Sequence, residues 1–109
     1  MPMYLFQGKY TPETFKRLIA KPQDRTAVVR RLAEAAGGKL HHLLFAFGEH
    51  DVVALLEYPD NTSAAAAIMA VAAGGALSAG QTTVLMTAAE ATEAMKKAGS
   101  FAAAYKTPR

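Results

Sequence analysis

The chain of 109 residues contains no cysteine. That excludes a disulfide scaffold, thiolate zinc sites, iron–sulfur ligation and a cysteine nucleophile. Tryptophan is also absent, and 8 glycines and 5 prolines are too few for a collagen-like or low-complexity chain. Long apolar runs are missing. The longest apolar region, Ser63 to Leu77, carries two glycines near its end and falls short of the ~20 residues that a bilayer requires. The first residues lack the charged region of a signal peptide. The expected location is therefore the cytoplasm, without membrane contact. Hydrophobic residues make up 51% of the chain and charged residues 19%, which excludes a disordered, highly solvated polymer. One small domain is expected over residues 1–100, with a C-terminal tail over 101–109.

An excess of one charge is lacking too. Lys and Arg number 12 and Asp and Glu 9, a net charge of +3. The one dense basic stretch, Lys16, Arg17, Lys21, Arg25, Arg30 and Arg31, alternates with apolar residues at helical spacing and reads as a solvated helix face. Without a groove or a recognition motif it does not make a nucleic-acid binder.

The pattern that is present alternates strands and helices. Met3 to Lys9 reads as a strand, rich in aromatics. Thr11 caps a helix with Pro12 at its first position, and Phe15, Leu18 and Ile19 give it an apolar stripe. Pro22 interrupts it. A second helix from about Asp24 ends at Gly37-Gly38. Lys39 to Phe47 and Val52 to Tyr58 read as strands joined through Gly48-Glu49-His50-Asp51, an antiparallel hairpin. Asp60, Asn61 and Thr62 offer caps for an alanine-rich helix over Ser63 to Ala73. A fourth strand spans Ala76 to Met86 with a bulge near Gly80. Thr87 and Glu90 form a capping box for the last helix. The order β-α-β-β-α-β-α is the α+β, ferredoxin-like split β-α-β plan, with a four-stranded antiparallel sheet covered by helices on one face.

Such a sheet ordinarily has one polar face. Here strict alternation sets Tyr4 and Phe6 against Met3 and Leu5, Leu40, Leu44 and Ala46 against Leu43, Phe45 and Phe47, and Val53 and Leu55 against Val52, Ala54 and Leu56. Both faces are apolar. A monomer would expose more apolar surface than such domains tolerate, so a homo-oligomer joined through the open face is expected. Failing that, Phe101-Ala-Ala-Ala-Tyr105 must fold back over it.

Tyr4-Leu-Phe-Gln-Gly-Lys-Tyr-Thr11, Gly37-Gly38-Lys39-Leu40, Gly48-Glu49-His50-Asp51-Val52-Val53 and Glu57-Tyr-Pro59-Asp60 resemble the GYD-domain family over roughly residues 3–98. The resemblance implies a dimeric α+β-barrel type of assembly and no established biochemical activity. Two departures stand out. The family usually has an aromatic residue, often Tyr, where this chain has His50. It also runs through an Asn and a basic, Thr-Glu-rich strand where this chain has Leu77-Ser-Ala-Gly-Gln-Thr-Thr-Val84.

Chemistry-bearing residues are few. His41 and His42 are adjacent on a strand, so alternation aims them at opposite faces. Glu49, His50 and Asp51 are consecutive turn residues that do not converge on a metal, and His-x-His spacing is absent, so no metal and no cofactor is expected. The serines lack a nucleophile-elbow context. Gly74 to Gly80 is neither a phosphate loop nor a dinucleotide fingerprint. Asp51 reads first as a turn-fixing carboxylate; a second role, with His50, is at the lip of a pocket. The candidate ligand-binding set is Tyr4, Phe6, Gln7, His42, Phe45, His50, Asp51, Tyr58 and Thr83, lining an apolar cavity with a few polar groups for a small apolar or acidic ligand. Three functions compete. The first is a homo-oligomeric small-molecule-binding or regulatory domain. The others are a cofactor-free oxygenase or isomerase of the dimeric α+β-barrel type, and a purely structural protein-interaction domain.

Overall fold

A computed structural model describes residues 1–108. The elements are β1 (Met3–Tyr10), α1 (Pro12–Ala20), α2 (Thr26–Ala35), β2 (Lys39–Phe45), β3 (Val52–Glu57), α3 (Asn61–Ala73), β4 (Leu77–Leu85) and α4 (Ala88–Phe101), followed by a 3-10 turn over Ala102–Ala104. The strands form one antiparallel sheet in the order β2-β3-β1-β4, with β1 and β3 central as the split β-α-β plan requires. Helix α4 runs through Phe101 and the 3-10 turn follows it, within the stretch expected as a C-terminal tail. Arg109, the last residue of that tail, lies outside the described residues.

The helix ends follow from local chemistry. The Thr11 hydroxyl accepts from the Thr14 amide with Pro12 behind it, and the Asp60 carboxylate accepts from the Ser63 amide. Thr87 and Glu90 satisfy each other's backbone amides in a complete capping box. Asp24 accepts from the amide and hydroxyl of Thr26, the turn that opens α2 after the Pro22 break. Gly37, at φ 81°, closes α2, and the Gly38 amide then donates back to the Ala33 carbonyl.

The core is thin and one-sided. Tyr4, Phe6, Val52, Ala54, Leu56 and Tyr58 point from β1, β3 and its end toward the helices, where Ala33, Ala64 and Ala67 meet them. Ala33 lets the α2 backbone approach β2 closely, whereas α3, with Ala64 and Ala67, stands further from the strands. The Tyr4 hydroxyl donates to Asn61 Oδ1 at 2.7 Å and ties the start of α3 to β1, and the Tyr4 and Tyr58 rings meet edge to face. The Phe6 ring lies over Gly8 and Gly80, which are paired across β1 and β4; a Cβ at Gly8 would stand 2.9 Å from that ring.

Two departures from strict alternation re-aim side chains. In β2, Leu40 pairs with Leu56 and His42 with Leu55, which leaves His41 as an extra, bulged residue. Leu40, Leu43 and Phe45 therefore share the helix-side face, and Leu44 takes the other. The alternation expected in the sequence had grouped Leu40 with Leu44; one inserted residue reverses that grouping. The second irregularity lies in β4 at Ser78, between the pairs Lys9–Ala79 and Tyr10–Leu77, rather than near Gly80, which stays in register opposite Gly8.

The helix layer covers β1, β2 and β3 but leaves the end of β4 bare, with Val84 55% exposed. Helix α4 makes substantial contact only with the turn that follows it, and Met95, Phe101 and Tyr105 are all more than 60% exposed. The molecule is elongated, 59 × 35 × 22 Å, with a radius of gyration of 17.6 Å. A compact chain of this length has about 13 Å. The projecting helix accounts for the excess, and the Phe101–Tyr105 segment does not fold back over the open sheet face.

Candidate functional site

A concave cleft lies between the helices and the covered face of the sheet. Its volume is about 550 Å³. Its floor is Phe6, Leu43, Val52, Ala54 and Leu56 from the three covered strands. One wall is Leu18, Val28, Val29 and Leu32 from α1 and α2; the other is Ala67, Ile68 and Val71 from α3. It exists because the short alanines of α3 and the break at Pro22 leave the helix layer incomplete above a floor of larger side chains. Its size and apolar lining are those of a small-molecule site.

The polar groups of the cleft are Tyr10, Thr14, Arg17, Gln23, Arg25 and Tyr58. The Thr14 hydroxyl is already committed, donating to the Ala76 carbonyl at 2.8 Å. Arg25 donates to Gln23 Oε1 at 3.1 Å, so the two cross the same edge of the cleft. Burial pushes the Tyr58 hydroxyl above its ordinary pKa. Burial does the same for Tyr10, opposed by the Arg25 charge and reinforced by Asp51. Both phenols are therefore neutral donors at physiological pH. Among the described residues, no His, Asp or Glu lines the cleft.

The nine residues that the sequence singles out do not share one wall. Tyr4, Phe6, Phe45 and Tyr58 are on the helix side of the sheet, and Phe6 and Tyr58 line the cleft. Gln7, His42 and Thr83 are on the open side: Gln7 pairs with Val53, His42 with Leu55 and Thr83 with Leu5. A sheet separates the two groups, so the mixed aromatic and polar pocket expected from the sequence does not form within the chain. His41 is corrected as well. Through the bulge its Nε2 lies 2.6 Å from Glu57 Oε1, on the open side with His42, and not on the face opposite to it.

Asp51 has the structural role. Its Oδ2 accepts from the Tyr10 amide at 3.0 Å, its own amide donates to the Gly8 carbonyl and its carbonyl accepts from the Ala46 amide. It fastens the end of β1 to the base of the β2–β3 hairpin. His50 precedes it in the turn, half-buried, and does not line the cleft. The cleft residues missed in the sequence, Arg17, Arg25 and the α1, α2 and α3 walls, look there like an ordinary amphipathic helix face. No local signal distinguishes a stripe that packs from one that borders a cavity. Among the described residues no group of three or more His, Asp or Glu side chains is placed to hold a metal ion, and no helix is long and apolar enough to cross a membrane.

Comparison with known proteins locates this arrangement. The crystal structure of FFRP-DM1 superposes with a TM-score of 0.51 at 12% identity, covering 79% of this chain and all of that one. MtbAldR superposes with 0.52 at 12% identity, over 79% of this chain and 52% of the other. At such identity both show a shared α+β fold and nothing more. An uncharacterized NIPSNAP domain protein from Burkholderia xenovorans gives 0.45 at 17% identity, over 82% of this chain and 96% of that one. No curated protein sequence matches. The GYD domain model matches residues 4–95, from the first buried tyrosine into α4, and the chain belongs to the GYD domain family.

Proposed function

We propose that this protein is a homo-oligomeric small-molecule-binding module of regulatory type, whose ligand enters the cleft between sheet and helices. The observation that carries this reading is the cleft itself: about 550 Å³ of mainly apolar space, open to solvent, in a domain whose remaining core is thin. Its lining favours binding over acid–base chemistry, because the side chains best suited to move a proton near neutral pH are not among its described residues. The likeness to MtbAldR and FFRP-DM1 is a likeness of fold and agrees with this reading without assigning a ligand.

The open face supports the oligomer. Leu5, Val53 and Leu55 form its centre, with Leu44 59% exposed beside them and no helix above. A second copy stacked on that face would bury this surface and enclose Gln7, His42, Thr83 and the His41–Glu57 pair. Cytoplasmic location belongs to the same proposal. Thermal denaturation of the full chain with 1-decanol tests the binding reading. A ligand at about 100-fold above its Kd stabilises by about 2.7 kcal/mol, a rise of about 10 °C for a domain of this size. Ala54→Leu, which fills the floor, is expected to abolish that rise. An equal rise in both proteins would put the binding elsewhere.

A further inference from the structure

The charges of the cleft are of one sign. Arg17, exposed on α1, and Arg25, half-buried ahead of α2, are its only charged lining residues among those described. Neither guanidinium is within ion-pair distance of a described carboxylate; the described pairs are His41–Glu57 and Lys96–Glu93, both elsewhere. Asp51, whose charge is felt at Tyr10, is occupied by the Tyr10 amide and is not part of the lining. Two tyrosine hydroxyls add to the donors. Tyr58 is 3% exposed, lines the cleft, and has no hydrogen-bond partner among the described residues, in contrast to Tyr4, whose hydroxyl is taken by Asn61. That hydroxyl is open to the cleft rather than buried, since no buried side-chain N or O atom among the described residues lacks a hydrogen-bond partner.

From this geometry we infer that the cleft takes an amphipathic carboxylate, an apolar chain or ring system with one anionic head, and that Arg17 and Arg25 receive the head. The inference rests on the proposed binding role of the cleft and adds the class of ligand. The apolar body lies along Val52, Ala54 and Leu56, between the α2 and α3 walls. The carboxylate meets the guanidiniums, which offer paired N–H donors matched to its two oxygens. The neutral phenol of Tyr10, which feels the Arg25 charge, serves as a further donor at that end of the cleft, whereas Tyr58 stands at the other end of the sheet beside Tyr4. A cationic head would face two positive charges and no compensating carboxylate in the lining.

Isothermal titration calorimetry of the full chain with decanoate, 1-decanol and decylammonium tests this. Decanoate is expected to bind most tightly and decylammonium not at all. Arg25→Gln and Arg17→Gln, both on the rim where folding is undisturbed, are each expected to weaken decanoate about tenfold and to leave decanol unchanged. Equal affinity for decanoate and decanol, or decanoate binding unaffected by both substitutions, would overturn the anion assignment while leaving an apolar binding cleft. Failure of all three probes would overturn the binding role as well.

Discussion

Gly38 stands where α2 hands over to β2, and space rather than backbone freedom requires it. A Cβ there would overlap the Glu57 carbonyl oxygen and stand 2.7 Å from Tyr58 Cδ1, both on or beside the central strand β3. Gly38→Ala is expected to destabilise the protein by about 1–3 kcal/mol in chemical denaturation, the range for overpacking a filled site. Asp51→Ala removes the acceptor of the Tyr10 amide and is expected to cost about 1–2 kcal/mol, with Asp51→Asn recovering part of it because one oxygen remains. The role of Asp51 was legible in the sequence, since an Asp at the foot of a hairpin has few other tasks. That of Gly38 was not: a Gly-Gly pair reads as a helix stop, and only the fold reveals which of the two is held by sterics.

Exposed carboxylates at helix starts shape the acid response. Asp60 has its pKa lowered by hydrogen bonds from Ser63, and Glu90 by hydrogen bonds from Thr87. A group whose folded pKa is depressed adds stability above its unfolded value, near 4, and loses it as pH falls through the folded value. The denaturation midpoint is expected to be flat in this respect above about pH 5 and to decline below it. Asp60→Asn keeps the cap and should flatten the acid limb; an unchanged limb would mean that Asp60 contributes nothing to it.

At the scale of elements, the helix starts and the strand order were legible because each is announced by two or three adjacent residues. Thr11-Pro12, Thr87 with Glu90, and the glycine pairs are of this kind. The bulges at His41 and Ser78 were not, because an inserted residue leaves no mark in a run of strand formers, yet it reverses every face assignment beyond it. Through the bulge at His41, His42 parts from Leu40, whereas Gln7 parts from Tyr4 and Phe6 by plain alternation along β1, and Thr83 stands opposite Leu5 on the same open side. The boundaries of the cleft were illegible for a related reason: the alanines of α3 signal a helix equally well whether they pack or leave space. Helix α4 carries its own prediction. Gly99 sits in its interior with nothing within 4 Å of a Cβ position. Gly99→Ala is expected to stabilise the helix locally by up to about 1 kcal/mol, slowing amide exchange in α4. The melting temperature of the sheet domain should barely change, since α4 makes so little contact with it.

For the whole molecule, the two faces of one sheet carry different parts of the account: the open face the assembly, the covered face the ligand. Neighbouring residues of β3 separate them. Leu55→Asp places a charge on the open face and is expected to turn an oligomer into a folded monomer in light scattering, whereas Leu56→Asp buries that charge in the core and should prevent folding. A wild-type monomer at micromolar concentration would contradict the proposed assembly. The most direct test of the central claim, that the covered face holds the ligand, is methyl NMR of the full chain titrated with decanoate. The account predicts shift changes at Val52, Ala54, Leu56, Ile68 and Val71, which line the cleft, with Leu5, Val53 and Leu55 unmoved. Changes confined to Leu5, Val53 and Leu55 would put the ligand on the open face and contradict it.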